Sequence, residues 1–375
     1  MVESLAAGVE WRPPEATAPG FAPLHRRGRL LGHVRHQGAD EEADTAAAIA
    51  AWRQDRPAHL PGWLRRPLAD AEAMLAASRR MMEALLEGAP LEALLDAPDV
   101  AARLQGDLQD PLQDGGAARF ALVAASDEEH DAQAIGKAWF DAETNDGVAE
   151  DLWCKASWLS FHEADASLRF RFSFGMEGFE DVAADPGREL LAGELAARVF
   201  PESRLLTGHA PTRALARELA GGQPAFVERI IYFNAPEGGA QFHHDVERGH
   251  DGVIYAQLTG RTFWLACDKQ ALMDEITAFV ADAPDARWNE LRALTRDRAA
   301  LAALMNEADH EPVEALVDRE PAFIGRMVEH GHAFWLEPGD ALLLPQRDLE
   351  HCVWHTVFCL DDEPGEALSF AIRAL

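Results

Sequence analysis

The sequence predicts an α+β protein with an antiparallel β-barrel or jelly roll at its core. Three observations predict this fold class. From about residue 116 onwards, short apolar or alternating runs are separated by turn-forming residues, the pattern of antiparallel strands joined by tight turns. The preceding region has helical periodicity instead. A second helical block, at about residues 268–330, interrupts the strands, so we expect a helical insertion between core strands.

The N-terminal region, residues 1–115, is predicted to hold an arm and a helical segment. Residues 1–40 are rich in proline, glycine and arginine, and we expect them to be irregular. Over residues 46–104 apolar side chains, many of them leucine and methionine, recur at three- and four-residue steps, as on amphipathic helices that pack on a core. The Gly/Asp/Gln-rich residues 105–116 mark a boundary, so the jelly-roll domain is expected over residues 116–375.

The spacing of apolar residues predicts the strands and two further helices of this second domain. The predicted strands are Arg119–Ala125, Trp158–His162, Leu168–Phe174, Phe226–Asn234, Val253–Leu258, Arg261–Ala266, Ala333–Leu336, Ala341–Leu344, Val353–Leu360 and Ala367–Ala374, and the predicted helices are Arg188–Phe200 and Pro211–Ala220. Arg169 and Arg171 alternate with phenylalanines along one of these strands. These arginines would either bind an anion or form a solvated, salt-bridged face.

Charge and composition restrict the partners. The 375 residues carry a formal net charge of −30, which disfavours nucleic acid and anionic membranes, because both are bound through an excess of Lys and Arg. A basic peptide or a small molecule remains compatible with this charge. There is no apolar run of about 18 residues and no signal-peptide pattern, so we expect a cytoplasmic protein. The four cysteines form no C-x-x-C pair and are expected to be reduced and buried.

Residues 241–264 hold the strongest chemical signal. His243 and Asp245 are two residues apart, and on a β-strand such a pair faces the same side. One imidazole and one carboxylate on one face are two of the three protein ligands in a 2-His-1-carboxylate site for non-heme Fe(II). Because a jelly roll brings distant strands side by side, the third ligand is expected from the C-terminal part, where His351 and His355 would share one face of a strand.

An ordered set of motifs over about residues 226–374 resembles the JmjC/cupin-like Fe(II)- and 2-oxoglutarate-dependent oxygenases. The set consists of H-x-D at His243–Asp245, Q-x-x-G-x-x-x-W at Gln257–Trp264, the helical insertion, P-G-D-x-L-x-x-P at Pro338–Pro345 and W-H-x-V at Trp354–Val357. The resemblance implies a double-stranded β-helix (jelly-roll or cupin) core, with iron held by His243, Asp245 and His355. A tryptophan precedes His355, which favours it, and His351 is the alternative third ligand.

The anchor for 2-oxoglutarate departs from the family pattern. Thr262 stands where members often have a lysine, and Ala240 stands three residues before the H-x-D histidine, where many have a threonine. An arginine is the natural replacement, because its guanidinium pairs with a carboxylate through two hydrogen bonds. Arg261 and Arg373 are the candidates, with Thr262 as an additional hydroxyl donor.

The resemblance implies an oxygenase, a hydroxylase in particular, that uses Fe(II), 2-oxoglutarate and O2 on a protein or peptide side chain or on a small metabolite. The helical insertion would then be a lid or a homodimer surface. The departure at Thr262 leaves open a cupin-fold metalloenzyme that does not use 2-oxoglutarate. A jelly roll without catalytic function, acting as a binding module, is a further alternative. The sequence contains neither the G-x-S-x-G motif of hydrolases nor a phosphate-binding loop.

Overall fold

The computed structural model describes residues 8–16, 19–38, 42–106, 117–126, 133–144, 147–159, 166–176, 185–247, 249–307 and 309–375. Most of the predicted boundary at residues 105–116 lies outside these ranges. The described chain combines helices with extensive antiparallel sheets, which confirms the α+β class. Every helix in it is too short or too polar to span a bilayer.

Three antiparallel sheets organise the described chain. Their strands are β1 (Val9–Arg12), β2 (Ala22–Arg26), β3 (Arg29–His36), β4 (Ala58–Leu60), β5 (Ala117–Ser126), β6 (Ala134–Thr144), β7 (Gly147–Trp158), β8 (Leu168–Phe174), β9 (Pro224–Asn234), β10 (Gly252–Thr259), β11 (Thr262–Asp268), β12 (Ala333–Leu336), β13 (Ala341–Pro345), β14 (Val353–Cys359) and β15 (Gly365–Ala374). A nine-stranded central sheet has the order β4-β13-β10-β15-β9-β8-β7-β6-β5. A smaller sheet has the order β12-β11-β14, and an N-terminal sheet has the order β1-β3-β2.

Nine of the predicted strands correspond to β5 and to β8 through β15. The strand predicted from Trp158 begins where β7 ends, and its residues 160–162 lie outside the described chain. Strand β6 and most of β7 were not predicted from the sequence. The N-terminal half of β7 is largely exposed, so it carries little of the apolar alternation on which the prediction depends.

The expectation that residues 1–40 are irregular is wrong, because this part of the chain forms β1, β2 and β3. Leu24, Leu31 and Val34 of this sheet are fully buried in a core shared with the helical insertion. The Pro, Gly and Arg residues around them mask the apolar pattern. The close packing of β1 on β3 requires a glycine at position 32, since a Cβ there would lie 2.5 Å from the indole nitrogen of Trp11.

Helices form two layers, one on each side of the sheets. They are α1 (Thr45–Trp52), α2 (Arg65–Leu68), α3 (Glu72–Leu86), α4 (Leu91–Leu95), α5 (Pro98–Leu104), α6 (Pro186–Val199), α7 (Arg204–Thr207), α8 (Ala210–Ala220), α9 (Lys269–Asp282), α10 (Asn289–Leu294), α11 (Arg298–Met305), α12 (Glu311–Arg319) and α13 (Pro321–Glu329). Helices from α1 to α8 share a core with the central sheet. This core includes Met82 and Leu85, two of the apolar side chains that recur at helical spacing over residues 46–104. The predicted helices Arg188–Phe200 and Pro211–Ala220 are α6 and α8.

The predicted helical insertion is present between β11 and β12, as α9 to α13. It packs on the smaller sheet and on the N-terminal sheet. A third core lies between the smaller sheet and the facing strands of the central sheet, and includes Tyr255, Trp264 and Leu342. The two sheets therefore pack face to face around a common interior. All four cysteines are buried and free, as expected.

Candidate metal centre

Residues 240–246 connect β9 to β10 and run beside β14. His243 and His355 form an antiparallel bridge in which each backbone N–H donates to the other's carbonyl at 2.9 Å. The segment is therefore strand-like at His243, whereas Asp245 lies in irregular chain. The turn before the segment brings Gly239, with φ of 124°, against β14, where a Cβ would lie 2.2 Å from the Val357 carbonyl oxygen. Only glycine fits at this position without a shift of the backbone.

The bridge brings three candidate ligands together. Nε2 of His243 lies 3.4 Å from Oδ1 of Asp245, and Nε2 of His355 lies 3.5 Å from Oδ2 of the same carboxylate. One donor atom from each of the three side chains lies within 4.8 Å of the others. Two atoms bound side by side to one ion at about 2.1 Å are roughly 3 Å apart, so these three fit a common metal ion after a small contraction.

His351, the alternative third ligand, is not part of this group. It lies in the turn before β14, where its Nδ1 is 2.9 Å from Asp348 and 57% of its side chain is exposed. The prediction that His351 and His355 share a strand face assumed one continuous strand. The strand starts only at Val353, so the structure separates the two histidines.

The surroundings leave His355 and Asp245 in the state that metal binding needs. Nδ1 of His243 donates a hydrogen bond to the Gln241 carbonyl at 2.6 Å, which orients Nε2 of the ring towards Asp245. Burial lowers the pKa of His355 to about 3, so its imidazole is neutral. Burial alone would raise the pKa of Asp245, but His355 and His243 outweigh it and hold that pKa well below its usual range. A metal ligand must be a neutral imidazole or an ionised carboxylate.

The pKa of His243 shifts in the opposite direction. Burial acts to lower it, but the hydrogen bond and charge of Asp245 raise the pKa above its ordinary value. A cation bound to the His243 imidazole would compete with a proton for the same nitrogen, because metal binding at histidine releases protons.

Aromatic rings surround the three donors. Trp264 stacks on His355 with ring centroids 5.3 Å apart. Phe242 stacks on Trp354 at 4.7 Å, so the residues that precede both histidines are packed together. Rings of this size hold the imidazoles in fixed orientations and keep water from one side of the site.

Two connected spaces adjoin the donors. A narrow inner cavity is lined by Tyr232, Asn234, Tyr255, Trp264 and Ser369 together with the three candidate ligands. An outer chamber of about 350 Å³ also reaches His243 and Asp245, and this volume is typical of a small-molecule site. Burial raises the pKa of Tyr232 and of Tyr255, so both phenols stay protonated and can donate hydrogen bonds.

The predicted anchors for 2-oxoglutarate lie away from the outer chamber. Arg261 is on the surface, where its Nε donates to Asp361 at 2.7 Å. Thr262 is buried, but its hydroxyl donates to Gln257 at 2.9 Å and accepts from the Trp264 indole at 2.9 Å. Arg373 lies half-buried near the end of β15 and lines neither of the two spaces. The structure therefore does not bring Arg261, Thr262 and Arg373 to one place.

Arg169 and Arg171 of β8 do line the outer chamber. Nε of Arg169 donates to the Ser157 hydroxyl at 3.0 Å, and its positive charge acts on the phenol of Tyr232 in the inner cavity. The alternation along β8 had indicated these arginines as a candidate anion-binding face. It could not place them in the same chamber as His243, because that chamber is lined by parts of the chain more than 70 residues apart.

A second group of potential metal-binding side chains lies on the chamber wall. Donor atoms of Glu228, Glu247 and His250 are within 4.8 Å of one another. Arg171 already lies between the two carboxylates, with Nε 3.1 Å from Glu228 and Nη2 3.3 Å from Glu247. Because the guanidinium supplies the positive charge here, we interpret this group as an ion-pair network that forms one side of the chamber.

No protein-family model and no curated protein sequence matches the chain. Among solved structures it is similar to an oxidoreductase of the 2OG-Fe(II) oxygenase family from Burkholderia pseudomallei, at 10% identity and a TM-score of 0.32, over 90% of this chain and 93% of that one. It is similar to the non-heme alpha-ketoglutarate-dependent epimerase SnoN from nogalamycin biosynthesis, at 12% identity and a TM-score of 0.36, over 88% and 83% of the two chains. It is also similar to iron-bound EctD from S. alaskensis, at 12% identity and a TM-score of 0.34, over 99% and 88%. Because these identities and TM-scores are low, the function is argued from the site itself.

Proposed function

We propose that this chain is an Fe(II)- and 2-oxoglutarate-dependent oxygenase that hydroxylates a protein or peptide side chain or a small metabolite. The observation that carries the proposal is the convergence of His243, Asp245 and His355 at the inner end of a chamber. Two imidazoles and one carboxylate on one face leave the opposite positions of an iron ion open. With the side chains of His243 and Asp245 37% and 28% exposed, those positions would face the chamber.

The strand order supports a double-stranded β-helix as the scaffold. Strands β13, β10, β15 and β9 follow one another in the central sheet, and β12, β11 and β14 form the facing sheet. Residues 240–246 lie beside β14, to which the His243–His355 bridge joins them. With β12, β11 and β14 they make a group of four extended segments that faces the four strands of the central sheet. This arrangement puts ligands from both ends of the domain into one interior.

Bound Fe(II) would supply the activation of O2, coupled to oxidation of a 2-oxo acid. The chain's own contribution is to hold the ion and to keep the interior dry. His243, Asp245 and His355 would hold it, and Trp264 and Tyr255 exclude water from the inner side. A water-poor site strengthens the interaction between an ion and a negatively charged ligand.

For the cosubstrate anchor we propose Arg169. A guanidinium pairs with a carboxylate through parallel hydrogen bonds, and Arg169 lines the same chamber as His243 and Asp245. Tyr232 lines both spaces, so its phenol could donate a hydrogen bond to the same carboxylate. In this assignment an arginine on β8 replaces the lysine that the family resemblance leads one to expect at Thr262.

An anaerobic titration with Fe(II), followed by 2-oxoglutarate, tests the proposal. We expect one Fe(II) per chain and then a weak visible charge-transfer band, because a 2-oxo acid that chelates Fe(II) produces such a band. Metal binding without the band would favour a cupin-fold metalloenzyme that does not use 2-oxoglutarate. Absence of metal binding would favour a non-catalytic binding module.

The histidines of the C-terminal part offer a matched pair of variants. His355→Ala should abolish Fe(II) binding, because it removes one of three ligands. His351→Ala should bind Fe(II) like the wild type, because its side chain points to Asp348 in an exposed turn. Equal Fe(II) affinity of the His355→Ala variant and the wild type, measured in the same titration, would show that the ligand assignment is wrong.

A further inference from the structure

A buried polar network lies directly behind the candidate metal ligands, on the side away from the chamber. It consists of Arg26, Asp318 and Thr356, which are 5%, 1% and 0% exposed. They come from β2 of the N-terminal sheet, from α12 of the helical insertion and from β14. Three remote parts of the chain therefore meet at one point.

Asp318 contacts the neighbours of both histidine ligands. Its Oδ2 accepts a hydrogen bond from the backbone N–H of Phe242 at 2.9 Å, and Phe242 precedes His243. Its Oδ1 accepts a hydrogen bond from the hydroxyl of Thr356, which follows His355. One carboxylate thus holds the two ligand-bearing segments from behind.

Arg26 joins the same two segments and balances the buried charge. Its Nη2 donates to the Val357 carbonyl at 2.6 Å and to the Ala240 carbonyl at 3.2 Å. The same nitrogen is 2.9 Å from the Thr356 hydroxyl and 3.8 Å from Oδ1 of Asp318. A buried carboxylate without such a partner would destabilise the fold.

We propose that Asp318 and Arg26 are positioning residues, which set the distance between His243 and His355 and thereby the affinity for metal. The two segments are also joined by backbone hydrogen bonds, between His243 and His355 in both directions and from the Val357 N–H to the Ala240 carbonyl, all at 2.9 Å. Ligands must be held to within about 0.5 Å for tight metal binding. The inference rests on the proposed ligand set, and it assigns the N-terminal sheet and the insertion a role in the metal centre.

The test compares Asp318→Asn with Glu194→Gln. Glu194 is likewise buried, and it pairs with Arg198 and Arg204 in the helical layer on the other side of the central sheet. Both variants remove one buried negative charge and leave arginine partners behind. Co(II) is the probe, because its visible spectrum reports both affinity and ligand geometry, and thermal unfolding of each metal-free variant reports stability.

We expect Asp318→Asn to bind Co(II) about 10–100-fold more weakly than the wild type, with an altered spectrum, as for other groups that orient metal ligands. Glu194→Gln should lose stability to a comparable extent and keep the wild-type Co(II) affinity and spectrum. Thr356→Val, which removes one hydroxyl of the network, should also bind Co(II) more weakly than the wild type. If Asp318→Asn does not fold, the Co(II) affinity of Thr356→Val tests the proposal in its place.

Two results would overturn the inference, and they can be told apart. Wild-type Co(II) affinity in a folded Asp318→Asn variant, or failing that in Thr356→Val, would show that the network contributes only to stability. Absence of Co(II) binding by the wild-type chain would remove the ligand set itself, and the proposed function with it.

Discussion

His355 and His351 are four residues apart, yet their surroundings are opposite. Burial lowers the pKa of His355, whereas the hydrogen bond to Asp348 raises the pKa of His351. His355 is buried, with its Nε2 3.5 Å from Oδ2 of Asp245, whereas His351 is exposed and lies 2.9 Å from Asp348 in a turn. Burial and geometry therefore both favour His355 as the third ligand.

Arg169 can be distinguished from the anchors predicted by sequence. Arg169→Met should weaken 2-oxoglutarate binding by about 10–100-fold, the loss expected for one hydrogen-bonded charge pair. Arg261→Met should leave it unchanged, because Arg261 is held by Asp361 at the surface. Titration of the Fe(II)-loaded proteins with 2-oxoglutarate in the absence of O2 measures both affinities. A larger loss of 2-oxoglutarate affinity in Arg261→Met than in Arg169→Met would show that Arg261, as the sequence indicated, is the anchor.

A carboxyl pair remote from the metal centre should make stability depend on pH. The Ser78 hydroxyl lies 2.6 Å from Oε1 of Glu202 and 3.1 Å from Oε1 of Glu366, and all three residues are buried. Burial raises the pKa of Glu202, and burial together with the charge of Glu202 raises that of Glu366. The folded state therefore holds a proton that the unfolded chain releases near the ordinary glutamate pKa of 4.5.

The sign of this effect follows from the raised pKa values. The stabilisation is fully present below the unfolded-state pKa and is lost as pH rises towards the folded-state pKa, by up to about 1.4 kcal/mol per pH unit for one proton. In Glu202→Gln and in Glu366→Gln only one carboxyl remains, so the free energy of unfolding should fall less between pH 5 and pH 8 than it does in the wild type. Urea unfolding at several pH values measures this pH dependence. A pH dependence equal to that of the wild type in both variants would show that the carboxyl pair is not its source.

Among the elements, the turn before the ligand segment should be sensitive to substitution at Gly239. Gly239→Ala should reduce the free energy of unfolding by about 1–3 kcal/mol and weaken metal binding, because a Cβ at φ of 124° meets the Val357 carbonyl oxygen. Gly88 is the matched control, since it also has a positive φ, of 93°, but its Cβ would meet no atom within 4 Å. Urea unfolding and Co(II) titration separate the two effects. Equal losses in both variants would show that backbone conformation alone, and not the contact with β14, sets the cost.

The predicted elements were those with a clear period. The strands β9 to β15 and the helices α6 and α8 have recognisable apolar patterns, and the sequence predicted them to within a few residues. The misses are β1 to β4, β6 and most of β7. These strands are short, partly exposed or flanked by Pro and Gly, so their stability comes from partners in the folded chain and not from their own pattern.

At the scale of the whole molecule, the net charge of −30 acts against the compact state. Raising the NaCl concentration from about 0.02 M to 0.3 M should increase Tm by roughly 2–4 °C, because the Debye length falls below about 10 Å and repulsion is screened. Thermal unfolding followed by circular dichroism measures this shift. A Tm that is unchanged below about 0.3 M and then rises linearly with salt would indicate ion exclusion from the surface and not screening.

The fold class, most of the elements and the H-x-D pair could be predicted from sequence, because helix and strand periods and a two-residue spacing are local properties. Which distant side chains meet depends on how the folded chain packs. The tertiary structure placed His355 beside His243 and left His351 in a turn, it put Arg169 in the chamber and Arg261 at the surface, and it brought Arg26 and Asp318 together behind the ligands. These contacts join residues separated by about 70 to 330 positions, and strand pairing and burial create them without leaving a local pattern.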